Sequence, residues 1–317
     1  MIFPWWVKYE DFFKAPVTMA LFFISLFFLM ILPPVSKNVI SQLESQMADE
    51  TFLMVQSIQY QKYLKSKNPD EYQKSIQSWT GRNYDANKVH LYWSQQSFRD
   101  DGFILDYKNI KPYSDEVLYN NWLKVWDRFL LTQKFQWTTF YGVSILNHKW
   151  TSYITYQFVH SGLLHFISNM MLLIFFGIAL EKMVGGFVVA IVYLICGVLG
   201  ALVYELSHGM NAAALVGASA SVSGVMAFYF LVETKRNLKF FYFFAPQESF
   251  FGDIYLRKEW LITLFFLNDI VAVYSTPSWQ LGVAHAAHLG AVVVGFILAF
   301  VYNFYDSLSK LSFKLKL

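Results

Sequence analysis

The chain has 317 residues, of which 56% are hydrophobic and only 15% are charged, against about 25% charged residues in a typical soluble domain. Its net charge of +3 is too small, and its basic residues are too scattered, to indicate nucleic-acid binding. The single cysteine, Cys196, excludes an intramolecular disulfide and a cysteine-based metal cluster, and we expect it to be a small buried side chain. Because apolar runs of about 20 residues recur, the composition predicts an all-α, polytopic membrane protein.

The first 35 residues predict an interfacial lead-in followed by the first transmembrane helix. Residues 1–16 mix aromatic with charged side chains. They lack a short apolar core followed by a small-residue cleavage site, so we expect no removable signal peptide. The apolar run at 18–32 is the first span, and the pair Pro33-Pro34 is predicted to end its helix.

Residues 36–147 have a different composition, with charges of both signs, amides and tyrosines between short apolar patches. This stretch predicts an extramembrane insert without a polybasic lipid signal, and its role stays open. Residues 120–129 are amphipathic, with Trp122 and Trp126 on one side. Such a segment suits a membrane interface, or it packs its tryptophan face within the same domain; the sequence leaves both open.

Five further apolar runs predict five more spans, at residues 162–180, 188–206, 212–232, 260–274 and 285–305. With six spans, the basic residues of the short connections and of the tail fall on one side of the membrane. These residues are Lys182, Lys235, Arg236, Lys239, Lys310, Lys314 and Lys316. The positive-inside rule then makes both termini cytoplasmic and the 36–147 insert external. We expect a membrane core at 148–305, a basic cytoplasmic tail at 306–317 and, without transit-peptide character, a bacterial-type plasma membrane.

Polar side chains inside apolar spans are costly and are therefore functional candidates. His165 and Asn169 share one helical face at the start of the second span, and His160 lies just before it. Ser219 lies at the start of the fourth span, and His288 lies at the start of the sixth. In the predicted topology these three spans all begin on the outer side. The five side chains are therefore expected to meet a few residues below the outer surface.

A hydroxyl, imidazoles and an amide in one place favour nucleophilic catalysis by a serine with a histidine base. We predict a Ser–His dyad rather than a triad, because no carboxylate occurs in the outer halves of these three spans. The pair His285-x-x-His288 lacks a neighbouring carboxylate in the sequence, so no metal site is predicted. Glu205 and Asp269 lie near the outer ends of the third and fifth spans, where we expect both to reach the wet interface.

These residues resemble the rhomboid family of intramembrane serine proteases over about residues 150–305. The resemblance rests on three motifs in order: His160-x4-His165-x3-Asn169, Gly217-Ala218-Ser219 at a helix start, and Ala287-His288 followed by small residues and Gly295. It implies a six-transmembrane-helix bundle and a transmembrane protein substrate, while the large first loop at 36–147 is far longer than in minimal members of the family. Neither a cofactor nor a metal is implied, and the oligomeric state stays open.

The resemblance also implies a role for each residue. Ser219 is the nucleophile and His288 is its base. His165, Asn169 and the backbone N–H of Ser219 form the oxyanion hole, in keeping with an unpaired N–H at a helix start. His160 has a structural role in the adjacent loop, and Gly217 and Gly295 support the site.

Three departures from the family pattern matter. Ala220 replaces the glycine that usually follows the serine, Trp150 is not followed by the expected arginine, and Ala291 replaces a glycine after the histidine. Ser221 and Ser223 are assigned to packing or backbone bonding, because they lie on another face or a turn deeper. Ala220 keeps a second interpretation open, a catalytically inactive relative that binds transmembrane helices. A transporter fits less well, since no inverted repeat is visible.

Overall fold

The computed structural model describes residues 2–4, 9–47, 49–79, 86–98, 100–208, 214–235, 237–243, 251–275 and 285–314. Arg236 and Lys316, two of the basic residues on which the predicted orientation rests, lie outside these residues, as does the start of the run at 212–232. The chain divides into two compact units. The first comprises Met1–Ile31, Trp150–Gly209 and Val216–Leu317, and the second comprises Leu32–Lys149 and Met210–Leu215.

The described residues are mostly helical. The helices are α1 (Tyr9–Phe13), α2 (Pro16–Met47), α3 (Glu50–Lys67), α4 (Pro69–Trp79), α5 (Ala86–Ser97), α6 (Asp101–Asp106), α7 (Glu116–Phe135), α8 (Trp137–Tyr141), α9 (Ser152–Thr155), α10 (Leu163–Leu172), α11 (Ile178–Val184), α12 (Gly186–His208), α13 (Ser219–Val232), α14 (Lys258–Ser275) and α15 (His285–Lys314). A π-helical turn at Leu173–Gly177 joins α10 to α11, so the two form one continuous helical rod.

Three of the described helical stretches are long and apolar enough to cross a membrane: Leu163–Val184, Gly186–Ser207 and His285–Ser309. Two shorter apolar helices, Pro16–Leu32 and Ser219–Val232, accompany them. These findings support a helical membrane protein, and the count of six spans stays a prediction.

The prediction that Pro33-Pro34 ends the first long helix is wrong, because α2 continues through both prolines to Met47. Proline removes a backbone donor and crowds the preceding turn, but it holds φ near the helical value of about −65°. A helix can therefore pass through such a pair at the cost of its missing hydrogen bonds.

A small antiparallel sheet departs from the predicted all-α class. Its strands are β1 (Ile2–Pro4), β2 (Asn237–Phe243) and β3 (Phe251–Arg257), in the order β1-β2-β3. In the hairpin, Asn237 pairs with Arg257 and Phe243 pairs with Phe251. The sequence of β2 is rich in aromatic residues, which favour strands over helices once α13 has ended.

The core of the first unit is formed where α12, α13 and α15 pack closely through small residues. A Cβ atom added at Gly295 would lie 2.3 Å from the carbonyl oxygen of Gly224, and one at Gly224 would lie 2.4 Å from Sγ of the buried Cys196. Glycines at these positions allow the backbones to approach, as at other helix interfaces in membranes. The starts of α13 and α15 are thereby held next to each other.

The second unit has a core of its own, in which Trp122 and Trp126 of α7 are 2% and 0% exposed. Trp126 packs against Phe52 and Phe103 at ring-centroid distances of 6.3 and 5.8 Å. Nε1 of Trp122 donates a hydrogen bond of 2.6 Å to the buried Gln56. Of the two interpretations of this tryptophan face, packing within the domain is the one the structure bears out.

Candidate active site

The first residue of α13 and the fourth residue of α15 form a hydroxyl–imidazole pair. Oγ of Ser219 lies 2.8 Å from Nε2 of His288, within hydrogen-bond reach. Both side chains are partly exposed. As the first helical residue, Ser219 has a backbone N–H without a partner in the helix's own ladder, at the positive end of the helix dipole.

A carboxylate from α14 completes this contact on the other side of the imidazole. Oδ1 of Asp269 lies 3.1 Å from Nδ1 of His288 and 2.5 Å from Nδ1 of His285. Asp269 is only 7% exposed, so the prediction that its side chain reaches the wet interface is wrong. The sequence could not reveal this contact, because it depends on how α14 packs against α15.

The same contact overturns the premise that no carboxylate lies near His285 and His288. One ligand atom from each of Asp269, His285 and His288 lies within 4.8 Å of the other two. Two imidazoles and a carboxylate are groups that can hold a divalent cation. The Nδ1–Oδ1 distances of 2.5 and 3.1 Å are also those of hydrogen bonds between the imidazoles and the carboxylate. We interpret the cluster as a hydrogen-bonded array.

Glu205, the other carboxylate considered in the sequence, belongs to a different environment. It lies near the end of α12 and accepts a hydrogen bond from the hydroxyl of Tyr153. Burial, together with Glu205, raises the pKa of Tyr153 to about 12. Glu205 is only partly buried, so it differs from Asp269 in both exposure and partner.

His165 and Asn169 of α10 lie beside the glycine that precedes the α13 start. Gly217 has a φ of +118°, and a Cβ atom added there would lie 2.7 Å from Nε2 of His165 and 3.7 Å from Nδ2 of Asn169. Nδ2 of Asn169 donates a 3.0 Å hydrogen bond to the backbone oxygen of His165. The two side chains thus lie together at the turn that leads into Ser219.

His160 is held inside this turn. It is 1% exposed, and the backbone N–H of Ala218 donates to its Nε2 at 3.4 Å. Burial lowers the pKa of His160 to about 4, so its imidazole is neutral at pH 7 and its Nε2 can accept this proton. The contact ties the residue before Ser219 to the loop that leads into α10.

The other serines of α13 have different surroundings. Ser221 is fully buried, and its hydroxyl donates a 2.9 Å hydrogen bond to Oε1 of Gln157. Nε2 of Gln157 in turn donates to the backbone oxygen of Tyr153 at 2.8 Å. Gln157 was not predicted from the sequence, because it lies outside every predicted span and its burial depends on packing against α12 and α13.

Ala220 has helical geometry and faces the protein interior. It is 1% exposed, and a Cβ atom added at Gly200 of α12 would lie 3.3 Å from its methyl group. The glycine that the family pattern expects after the serine is therefore not required by the backbone here. The methyl group of Ala220 packs between helices instead of crowding the exposed side of Ser219.

We expect Ala220→Gly to lower the stability of this protein by ~0.5–1 kcal/mol, the usual cost of glycine in a helix. Thermal unfolding in detergent would measure the effect. A glycine variant as stable as wild-type protein would contradict the packing role of this methyl group.

The comparisons with known proteins agree with these motifs. A family model described as the Rhomboid domain matches residues 147–303. The chain is similar to "RHOMBOID-like protein 1" of Arabidopsis thaliana, with 33% identity over 165 residues, which are 50% of this chain and 37% of the relative. It is also similar to "RHOMBOID-like protein 6, mitochondrial" of the same plant, with 29% identity over 155 residues, 49% of this chain and 44% of the relative. The chain therefore spans less than half the length of these curated relatives.

Proposed function

Residues 147–303 form a rhomboid domain, so the chain belongs to the rhomboid family, and we propose that it is an intramembrane serine endopeptidase. Its substrates are transmembrane proteins, cleaved near the outer boundary of the membrane, where helix-destabilising residues let a strand enter the site. The observation that carries the proposal is the 2.8 Å contact between Oγ of Ser219 and Nε2 of His288.

In the proposed reaction, Oγ of Ser219 attacks the scissile carbonyl carbon while its proton moves to Nε2 of His288. His288 then gives this proton to the leaving amine, and an acyl ester remains on Ser219. Water hydrolyses the ester, with His288 taking a proton from the water and returning it to Ser219. Every proton transfer in these steps passes through Nε2 of His288.

We assign stabilisation of the negative charge on the substrate oxygen to three donors: His165, Asn169 and the backbone N–H of Ser219. The N–H at the start of α13 is not used by the helix's own ladder, which favours an anion there. Asn169 directs one amide proton to the backbone of His165, and its second amide proton is the one assigned to the oxyanion. Such donors count for more in a site of low dielectric constant.

We further propose that α2, the α10–α11 rod, α12, α13, α14 and α15 are six spans, with both termini cytoplasmic. Support comes from three long and two shorter apolar helices and from the basic residues of the connections. The domain division follows the sequence: a first span within residues 1–35, an external insert at 36–147, the catalytic core at 148–305 and a basic tail at 306–317.

The alternative is an inactive relative that binds transmembrane helices, and it was motivated by Ala220. Ala220 gives this alternative little support, because its methyl group packs in the interior, next to Gly200 of α12, and not against the exposed side of Ser219.

Covalent labelling separates the enzyme from the inactive relative. A fluorophosphonate probe should label purified wild-type protein at Ser219, identified by peptide mass spectrometry, because the probe needs an activated serine. Labelling should disappear in His288→Ala and persist in Ser223→Ala, the matched control within the same helix. No labelling of folded wild-type protein would favour the inactive relative.

Removal of metal tests the proposed serine mechanism against a metal-dependent one. We expect that preincubation with EDTA or 1,10-phenanthroline leaves reporter cleavage unchanged, because the proposed base and nucleophile contact each other directly. Loss of cleavage, restored by added zinc, would mean that Asp269, His285 and His288 bind a catalytic metal instead.

A further inference from the structure

The cluster behind the proposed dyad contains two groups that the Ser219–His288 mechanism does not use. Asp269 and His285 come from different helices, and all three side chains of the cluster are at most 12% exposed. Nδ1 of His285 and Nδ1 of His288 both point at the same oxygen, Oδ1 of Asp269, at 2.5 and 3.1 Å. We infer that Asp269 is a positioning residue that completes a Ser219–His288–Asp269 array, with His285 holding the carboxylate in place. This inference rests on the proposed function and adds a third group to its dyad.

The carboxylate of Asp269 selects the tautomer of His288. An ionised carboxylate only accepts hydrogen bonds, so a neutral imidazole beside it carries its proton on Nδ1. Nε2 then has a lone pair, and this is the atom 2.8 Å from Oγ of Ser219. Without Asp269, part of the His288 population would carry the proton on Nε2 and could not accept the serine proton.

Asp269 also stabilises the positive charge that forms on His288 in the proposed reaction. When the proton leaves Ser219 for Nε2, His288 becomes an imidazolium with protons on both nitrogens. A carboxylate 3.1 Å from Nδ1 stabilises that cation, and the surrounding apolar helices strengthen the interaction. Asp269 stays ionised throughout, and no proton is transferred to it.

The imidazole of His285 holds the Asp269 carboxylate in place. His285 lies three residues before His288, so the two side chains share one face of α15. The imidazole of His285 donates to the same Asp269 oxygen, which restrains the carboxylate between two donors from one rigid helix. His285 has no direct contact with Ser219 in this arrangement and acts through Asp269.

Kinetics of Asp269 variants test the inference. We expect Asp269→Asn and Asp269→Ala to lower kcat by ~10²–10⁴-fold with little change in KM, because Asp269 acts on the base and not on the substrate. His285→Gln should cause a smaller loss of kcat. Glu205→Gln is the matched control, since it removes a carboxylate from a neighbouring helix whose partner is Tyr153.

A readout without catalysis covers the case in which the protein has no protease activity. In Ser219→Ala protein labelled with ¹⁵N-histidine, NMR should show His288 with its proton on Nδ1, the resonance being assigned by its loss in His288→Gln. Adding Asp269→Ala should shift His288 toward a mixture of tautomers, while the remaining histidine resonances verify the fold.

The outcomes separate the two proposals. Active wild-type protein and an Asp269→Asn variant within about threefold of its kcat would overturn the inference and leave the proposed protease standing. Inactive wild-type protein would overturn the protease, and the NMR tautomer would then decide the inference by itself. An unchanged His288 tautomer in Asp269→Ala would overturn the inference in either case.

Discussion

Replacing Ser219 by alanine should reduce cleavage of a membrane-anchored reporter by at least ~10³-fold, because the proposed reaction then has no nucleophile. The imidazole of His288 loses its hydroxyl partner at 2.8 Å, but the helix start and the packing around it are unchanged. We therefore expect the unfolding temperature to stay close to that of wild-type protein. Cleavage in proteoliposomes and thermal unfolding in the same lipid mixture measure the two effects.

Serines of the same helix provide the control. Ser223→Ala removes a partly buried hydroxyl one turn deeper in α13 and should retain nearly full activity. Ser221→Ala removes the bond to Gln157 and should act mainly through stability. Cleavage by Ser219→Ala at the wild-type rate would exclude Ser219 as the nucleophile and with it the proposed mechanism.

Four residues of the candidate site could be predicted from the sequence, because a polar side chain within an apolar run is costly in a bilayer. Ser219, His288, His165 and Asn169 stand out because each interrupts an apolar run near a helix start. Asp269 did not stand out, because a carboxylate near the end of a span can stay hydrated at the membrane interface at little cost in free energy. Only the packing of α14 against α15 reveals that its side chain turns inward instead.

His285 is an instructive intermediate case. Its spacing of three residues from His288 predicts that both imidazoles lie on one helical face, and this was visible in the sequence. Their common hydrogen-bond partner, Asp269, could not be predicted from this spacing, because it comes from another helix. Contacts within one helix can be predicted from spacing, whereas contacts between helices need the packing geometry.

The fold shows the same division between local pattern and packing. Apolar runs indicated the long helices, since hydropathy and length alone decide whether a segment can cross a membrane. The tryptophan face of α7 had two possible environments with the same pattern, and only the core around Trp126 distinguishes them. The edge of β2 pairs with residues 2–4, a contact between distant parts of the chain that no local pattern predicts.

Gly217→Ala should reduce the kcat of the proposed reaction by ~10²–10³-fold, the usual cost of losing one donor from an oxyanion hole. The added methyl group would lie 2.6 Å from Cε1 and 2.7 Å from Nε2 of His165, so this imidazole has to move away from the start of α13. Alanine also strains a backbone whose φ is +118°, which costs ~1–3 kcal/mol of stability. Initial rates in proteoliposomes and chemical unfolding would separate the two effects.

Gly185→Ala supplies the matched control, because Gly185 also has a positive φ, +85°, but has open space where its Cβ would lie. It joins α11 to α12, at the other end of the α10–α11 rod from His165. We expect a similar loss of stability and nearly unchanged kcat, since the strain is shared and the contact with His165 is not. If both variants lost activity in proportion to their stability, Gly217 would matter only for folding. If Gly217→Ala alone lost activity, the close approach of Gly217 to His165 would be part of how the oxyanion hole is formed.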